Sequence, residues 1–504
     1  MLRRLTELAG ALSLATDLAH GAPPEHQLRV AVLCSRVAAD LGLEDDDRRD
    51  AFDAGLLRWL GCTAVAQPLS QLMGDEIASH RRGARFDKPL DPLMEILRNA
   101  GAGLPIPQRV VVLAGALRSG PGLLFGSTCE AAADLAGRLG YSAGVVGALS
   151  LAFERFDGKG WPGKLAGDSI PVAARIAMAA EDIVTIAEFA GPETAESELA
   201  KRAGRQHDPA VVTALRRVHR ATYGDFDSGD AWDLLATADP RPDRHIADDE
   251  IEERLLVVAD LVDIKVPTMA GHSRGVAALS AGATAVLGGD QVKARHAGLL
   301  HDIGGVSVSN DVWTRSEPLS SADRERVRLA PYQTERIWSH SAWLAPIGAL
   351  ASQHAERLDG SGYHRGLAGS ALSQGARVLQ AAKRYRSLVE ERPHRPAHSP
   401  RRAAELLRAA AAAGKFDAVV VEAVIAAAGG RAKARRAYPD GLTGREVEVL
   451  VLVAQGLPNK EIAARLVIAH RTVGHHVAHI YDKIGVTTRA GAALYAMRSQ
   501  LIER

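Results

Sequence analysis

Little in this chain of 504 residues is set aside for cross-linking or for a membrane. It has three cysteines, Cys34, Cys62 and Cys129, far apart and without C-x-x-C spacing. That pattern excludes a disulfide scaffold and a zinc knot and points to a reducing compartment. No apolar run approaches the length needed to span a bilayer, and Val110 to Leu117 is among the longest. At the N-terminus Glu7 and Asp17 interrupt the apolar stretch, while Leu2, Leu5, Leu8 and Leu12 recur at helical spacing. An amphipathic helix is expected there rather than a signal peptide. Neither sign of charge dominates: the net charge is +1, so any nucleic-acid affinity must be local. A cytoplasmic protein without a membrane partner is expected.

What the chain does have is alanine-rich helical periodicity from residue 1 to about 428, with few alternating β-branched runs. An apolar content of 47% and a charged content of 24% suit a globular protein, and the length suits about three domains. Self-comparison reveals a repeat. The stretch Glu154-Arg-Phe-Asp-Gly-Lys-Gly-Trp-Pro162 matches Glu356-Arg-Leu-Asp-Gly-Ser-Gly-Tyr-His364, 202 positions later. Ala174-Arg175 and Ala376-Arg377 each open an apolar helix after it, and His26 pairs with His272 at an offset of 246. His207-Asp208 is echoed by Phe416-Asp417. Two copies of one helical domain are therefore expected, at 1–222 and 250–428, with about 40 extra residues in the first copy between Cys62 and Ser150. Residues 223–249, rich in Asp, Gly and Pro, read as a linker, and the basic stretch 429–441 as a second one.

The last segment, 442–504, has the plainest pattern. Thr443 and Glu446 form a T-x-x-E capping box ahead of the apolar stripe Val447, Leu450, Val451 and Ala454. Gln455 to Pro458 ends that helix, Asn459 is placed to cap a second, and a turn at Val467 to Ala469 leads to a third. The third helix has Val473, Val477, Ile480 and Ile484 on one side and Arg471, His475, Ala478, His479 and Asp482 on the other. Such a helix fits the major groove of B-DNA. The segment resembles the LuxR-type (NarL/FixJ-like) helix-turn-helix domain, matching its L-T-x-R-E-x-E-V-L, G-L-x-N-K-E-I-A, T-V-x-x-H and K-x-G-V blocks in order. The resemblance implies phosphate contacts by Lys460, Thr472, Lys483 and Arg489, and base contacts by Arg471, His475, His476 and His479. A fourth helix from Thr488 to Met497 would serve dimerisation, which predicts a two-fold operator. Two departures weaken the recognition helix by about 1 kcal/mol each: Ala469 in place of a capping Ser, and Gly474 inside it.

The second copy carries His301-Asp302 at the end of an apolar helical run. An imidazole and a carboxylate so placed suit a divalent Mn, Fe, Zn or Ni ion, which lowers the pKa of a bound water for phosphoester cleavage. With His354-Ala-Glu-Arg-Leu-Asp-Gly-Ser-Gly-Tyr363, Asp263-x-Lys265-x-Pro267 and Gly271-His272, this copy resembles the HD-GYP branch of the HD phosphohydrolases, many of which hydrolyse cyclic di-GMP. Carried over by position, the metal ligands His272, His301, Asp302 and His354 are retained. Ala330 and Ala355 replace further ligands, Gly305 the catalytic Lys, His364 the Pro of G-Y-P, and Lys383 a ligating Asp. The expectation is that Lys383 pairs with Asp302 and holds the helices together without a metal, so no catalytic residue is assigned. A mononuclear site from the four surviving groups is the contrary expectation.

In the first copy the His-Asp position reads Arg58-Trp59, the His-His position Ala152-Phe153 and the terminal Asp position Glu181, leaving His26 alone. No metal chemistry is expected there, and His20, His80 and His207 read as surface residues. The fold class expected is all-α: two HD-GYP-like domains in tandem, then a small four-helix LuxR-type domain. Nothing resembles a phospho-acceptor receiver domain. The function expected is that of a homodimeric transcriptional regulator binding double-stranded DNA, its output controlled by largely non-catalytic HD-GYP-like domains and a nucleotide effector. The alternative is a metal-dependent cyclic di-GMP-type phosphodiesterase with a DNA-binding domain.

Overall fold

The structure, a computed structural model, describes residues 3–83, 124–429 and 438–502. Among these every regular element is a helix, and extended pairing is limited to isolated bridges. The chain divides into two compact units, Met1–Glu250 and Ile251–Arg504.

In the first unit, helices His26–Asp40 and Asp45–Leu56 pack on the long helix Val172–Ala190. Their shared core runs from Val30 and Leu33 to Ile176, Ile183 and Leu215. The first helix, Leu5–His20, forms as its spacing predicts, but it is buried nearly all round, not on one face. Part of the covering comes from residues 223–249, where Trp232 and Leu235 lie against Gly10, and these residues differ from the loop their composition suggests. They hold the end of helix Pro209–Ser228 and a further helix, Ala231–Ala238, with Leu235 buried. Their aspartates are used structurally: Asp230 caps the helix start, Asp239 accepts from Thr6 at 2.5 Å, and Asp225 pairs with Arg36 at 2.6 Å, while Arg241 pairs with the buried Asp53. Polar content here marks caps and ion pairs, not an open tether. The extra segment of the first copy lies largely outside the described residues, as does most of the second basic stretch.

The second unit repeats this frame. Helices Ile251–Asp263, His272–Leu287 and Gln291–Leu300 stand for the first three, and Gln374–Val389 for the long helix. The repeat extends to individual contacts. Asp17 accepts from the amide of Gln27, and Asp263 from that of Ser273. Glu154 collects the amides of Gly163 and Lys164 at 3.1 and 2.9 Å, and Glu356 those of Arg365 and Leu367 at 2.8 and 3.0 Å. Arg175 pairs with Asp208, and Arg377 with Asp417. Gly160 and Gly362 lie so close to the backbone of Glu154 and Glu356 that neither could carry a Cβ. This explains why E-R-x-D-G-x-G survives in both copies.

The C-terminal helices are Gly444–Ala454, Asn459–Leu466, His470–Ile484 and Arg489–Arg498, around a core of Val447, Leu450, Ile462, Val473, Ile480 and Tyr495. The Thr443–Glu446 capping box is formed in both directions. Pro458, not Asn459, holds the N-cap of the second helix, and Asn459 accepts from Arg489 instead. The third helix starts at Ala469 with no side-chain cap, and no atom lies within 4 Å of a Cβ built on Gly474. Helix Arg489–Arg498 is buried from Ala490 to Met497 and packs on Gly444–Ala454 and also on Ile251–Asp263. A side chain at Gly271 would touch Ile502, and Arg465 pairs with Glu391 at 2.9 Å. No helix among the described residues is long and apolar enough to cross a membrane.

Candidate functional sites

The recognition helix His470–Ile484 turns Arg471, Thr472, His475 and His479 outward, exposed, with Lys460 exposed on the helix before it. His476 is half-buried. These are the groups free to meet a duplex. Lys483 and Arg489 are engaged internally: Lys483 Nζ donates to Glu446 at 2.8 Å and to the carbonyl of Gly441, and Arg489 donates to Leu457 and Asn459. They tie the domain's helices together.

In the second module the helix end at Leu300 places His301 and Asp302 beside His272, the first residue of its own helix. One ligand atom from each of His272, His301 and Asp302 lies within 4.8 Å of the others. The imidazoles are held from behind. Nδ1 of His272 meets Glu390 at 2.7 Å, Nδ1 of His301 donates to Gly298 O at 2.7 Å, and Nδ1 of His354 to Ala351 O at 3.1 Å. Each Nε2 is thereby aimed at Asp302, at 3.6, 3.1 and 3.8 Å respectively. The Nε2 atoms of His272 and His301 are buried with no hydrogen-bond partner. Burial pushes His272 down to about 4 against the pull of Glu390. Burial also pushes Glu390 up, but His272, Arg386 and Arg392 outweigh that and hold it at about 2. Glu390 was not singled out from sequence. Its counterpart Glu188, 202 residues earlier, meets His26 Nδ1 at 2.7 Å, so the repeat offset carried the signal.

Backing of this kind, with Nε2 lone pairs converging on a carboxylate, is how histidines are oriented around a metal ion. The charge around Asp302 does not fit one. Lys383 Nζ lies 2.6 Å from Asp302 Oδ1, the pairing expected from sequence. Burial lowers the affinity of Lys383 for its proton, while Asp302 opposes that shift. Burial would raise Asp302, but His301 and Lys383 hold it well below the usual carboxylate range. Two unit charges about 4 Å apart interact by about 4 kcal/mol at an effective dielectric of about 20, so a dication would meet about 8 kcal/mol of repulsion from the ammonium. Ala330 and Ala355 carry no group able to hold a metal ion.

The first module is closed differently. Glu181 accepts from His26 Nε2 at 3.0 Å, Gln27 Nε2 at 2.8 Å and Trp59 Nε1 at 2.8 Å. Both ring nitrogens of His26 face carboxylates, which raises its pKa well above the usual histidine value despite burial. Arg58 lies over the Trp59 and Phe153 rings, and His20 stacks on Trp59 at 4.0 Å. His207, expected at the surface, is buried and bonded to Asp182 at 2.8 Å, because the loop before Pro209 folds back over the long helix. The side chain of His80 lies outside the described residues.

The fold and its sites define a helical protein with an HD domain and a C-terminal helix-turn-helix. Residues 256–420 match the family described as HD domain, and residues 440–496 the bacterial regulatory proteins of the luxR family. The chain is 30% identical over 406 residues to 3'3'-cGAMP-specific phosphodiesterase 3 of Vibrio cholerae serotype O1, covering 78% of this chain and 88% of that protein. It is 44% identical over 63 residues to the transcriptional regulatory protein LiaR of Bacillus subtilis, 12% of this chain and 30% of that one. A crystal structure of a cyclic GMP-AMP-specific phosphodiesterase of V. cholerae shares the fold, with a TM-score of 0.59 at 24% identity over 86% of this chain and 99% of that one. The chain belongs to the HD-GYP family and carries a LuxR-type DNA-binding domain.

Proposed function

We propose that this protein is a cytoplasmic transcriptional regulator whose LuxR-type domain reads double-stranded DNA as a homodimer. The HD-type modules serve as its sensor and dimerisation scaffold, answering to a nucleotide effector, and do not hydrolyse it. The observation that carries the reading is the groove-facing side of the recognition helix, with Arg471, Thr472, His475 and His479 exposed on a helix-turn-helix that has its own core. A route for control is at hand. Glu391, next to Glu390, pairs with Arg465 of the DNA-binding domain, and Gly271, next to His272, lies where a side chain would touch Ile502. The test is genome-wide mapping of bound DNA for the wild type and for an Arg471→Ala, Lys460→Ala double variant. Discrete two-fold sites lost in the variant support the reading; no sites in the wild type overturn it.

A second reading has its own support, in the identity with a cGAMP phosphodiesterase and in the convergence of His272, His301 and Asp302. It holds that the second module cleaves a cyclic dinucleotide. Turnover of 3'3'-cGAMP or cyclic di-GMP that disappears in His301→Ala would establish it.

A further inference from the structure

We propose that Lys383 is the resident cation of the second module: its ammonium takes the place of the divalent ion and keeps the His272, His301 and Asp302 cluster free of metal. The proposal deepens the regulator reading, on which it rests, by saying why a module with such well-backed histidines does not hydrolyse. Metal content and DNA occupancy are separate readouts, so either claim can fail alone.

The geometry points to substitution and not to simple loss. Lys383 Nζ stands 2.6 Å from Asp302 Oδ1, while the other carboxylate oxygen faces His301 Nε2 at 3.1 Å and His272 Nε2 at 3.6 Å. An aspartate is two bonds shorter than a lysine, a difference of about 2.5 Å, and metal–oxygen bonds are about 2.0–2.2 Å. An aspartate at 383 would therefore vacate the ammonium's place beside Asp302 and turn a ligand toward the gap. The ammonium fills that gap with one positive charge, which satisfies Asp302 and repels a dication.

The first module makes the same point with the partners exchanged. Glu181 occupies the position of Lys383, 202 residues earlier on the matching helix, and Trp59 occupies that of Asp302. There the carboxylate remains, but three N–H groups converge on it, from His26, Gln27 and Trp59. Trp and amide nitrogens can only donate, so neither Gln27 Nε2 nor Trp59 Nε1 offers a lone pair to an ion. In both modules one side chain from one helical position closes the centre: Glu181 as acceptor, Lys383 as donor. Two independent closures at equivalent positions argue that a centre filled from within is what this chain retains.

The test is the metal content of the full-length protein after incubation with Mn²⁺ or Zn²⁺ and desalting, read by elemental analysis beside circular dichroism. The wild type is expected to keep almost no ion. Lys383→Asp is expected to hold about one ion per chain, with a melting temperature raised by that ion, and to lose it when His301→Ala is added. Lys383→Ala, which removes the charge without adding a ligand, is expected to bind the same ion more weakly, and it serves if Lys383→Asp does not fold. A wild type that holds about one ion per chain, or a folded pair of Lys383 variants that take up none, overturns the proposal.

Discussion

Glu446 shows how one residue holds several parts of the DNA-binding domain. Its carboxylate accepts from the amide and hydroxyl of Thr443 and from Lys483 of the recognition helix, each at 2.8 Å. Burial alone would raise its pKa; the bonds from Lys483 and Thr443 bring it to about 2. The folded value lies below the ordinary 4.5, so this stabilisation is complete above that pH and is lost as pH falls through about 2. In Glu446→Gln this part of the acid sensitivity should vanish, seen as a flatter melting-temperature profile between those two values. Lys483→Ala should accordingly destabilise the domain, by about 1 kcal/mol for a bond to a charged partner.

At the scale of elements, the two glycine-rich loops are organised by buried glutamates, Glu154 and Glu356. Each collects backbone amides that would otherwise lie unsatisfied under the loop. Glu154→Ala and Glu356→Ala should each cost about 2–3 kcal/mol, since a buried amide left without a partner costs about 1–3 kcal/mol. Hydrogen exchange should localise each loss to its own module. The Arg465–Glu391 pair is a different case, because both side chains are about half exposed, at 46% and 60%. Such pairs are worth about 0–1 kcal/mol, so Glu391→Ala should change operator affinity by less than about fivefold. Helix Arg489–Arg498 also lies against Ile251–Asp263 of the HD module.

For the whole molecule, a net charge of +1 leaves DNA binding to a local patch, so affinity should depend on salt through few contacts. Lys460→Ala should reduce the slope of log affinity against log salt by about 1 unit, uniformly across operators. Arg471→Ala should also relax sequence preference, which competition with variant operators would reveal. Binding by the wild type should be unchanged by EDTA if its HD modules carry no ion.

The amino-acid sequence by itself determined the helical class, the internal repeat and the helix-turn-helix. These follow from short-range rules: apolar spacing, a capping box, and glycines where a loop leaves no room for Cβ. Tertiary structure decided the rest. Asp, Gly and Pro in residues 223–249 suggested a tether, yet aspartates such as Asp230 and Asp225 serve as a cap and a salt-bridge partner for a segment folded onto the first module. Lys483 and Arg489 match a DNA-binding pattern, yet carboxylate, amide and carbonyl oxygens brought near by packing engage both. Glu390 and Glu188 gained their role only when a distant helix end was laid beside a histidine. Spacing along a chain shows which face a residue occupies; which charge stands opposite it is set by how the helices pack.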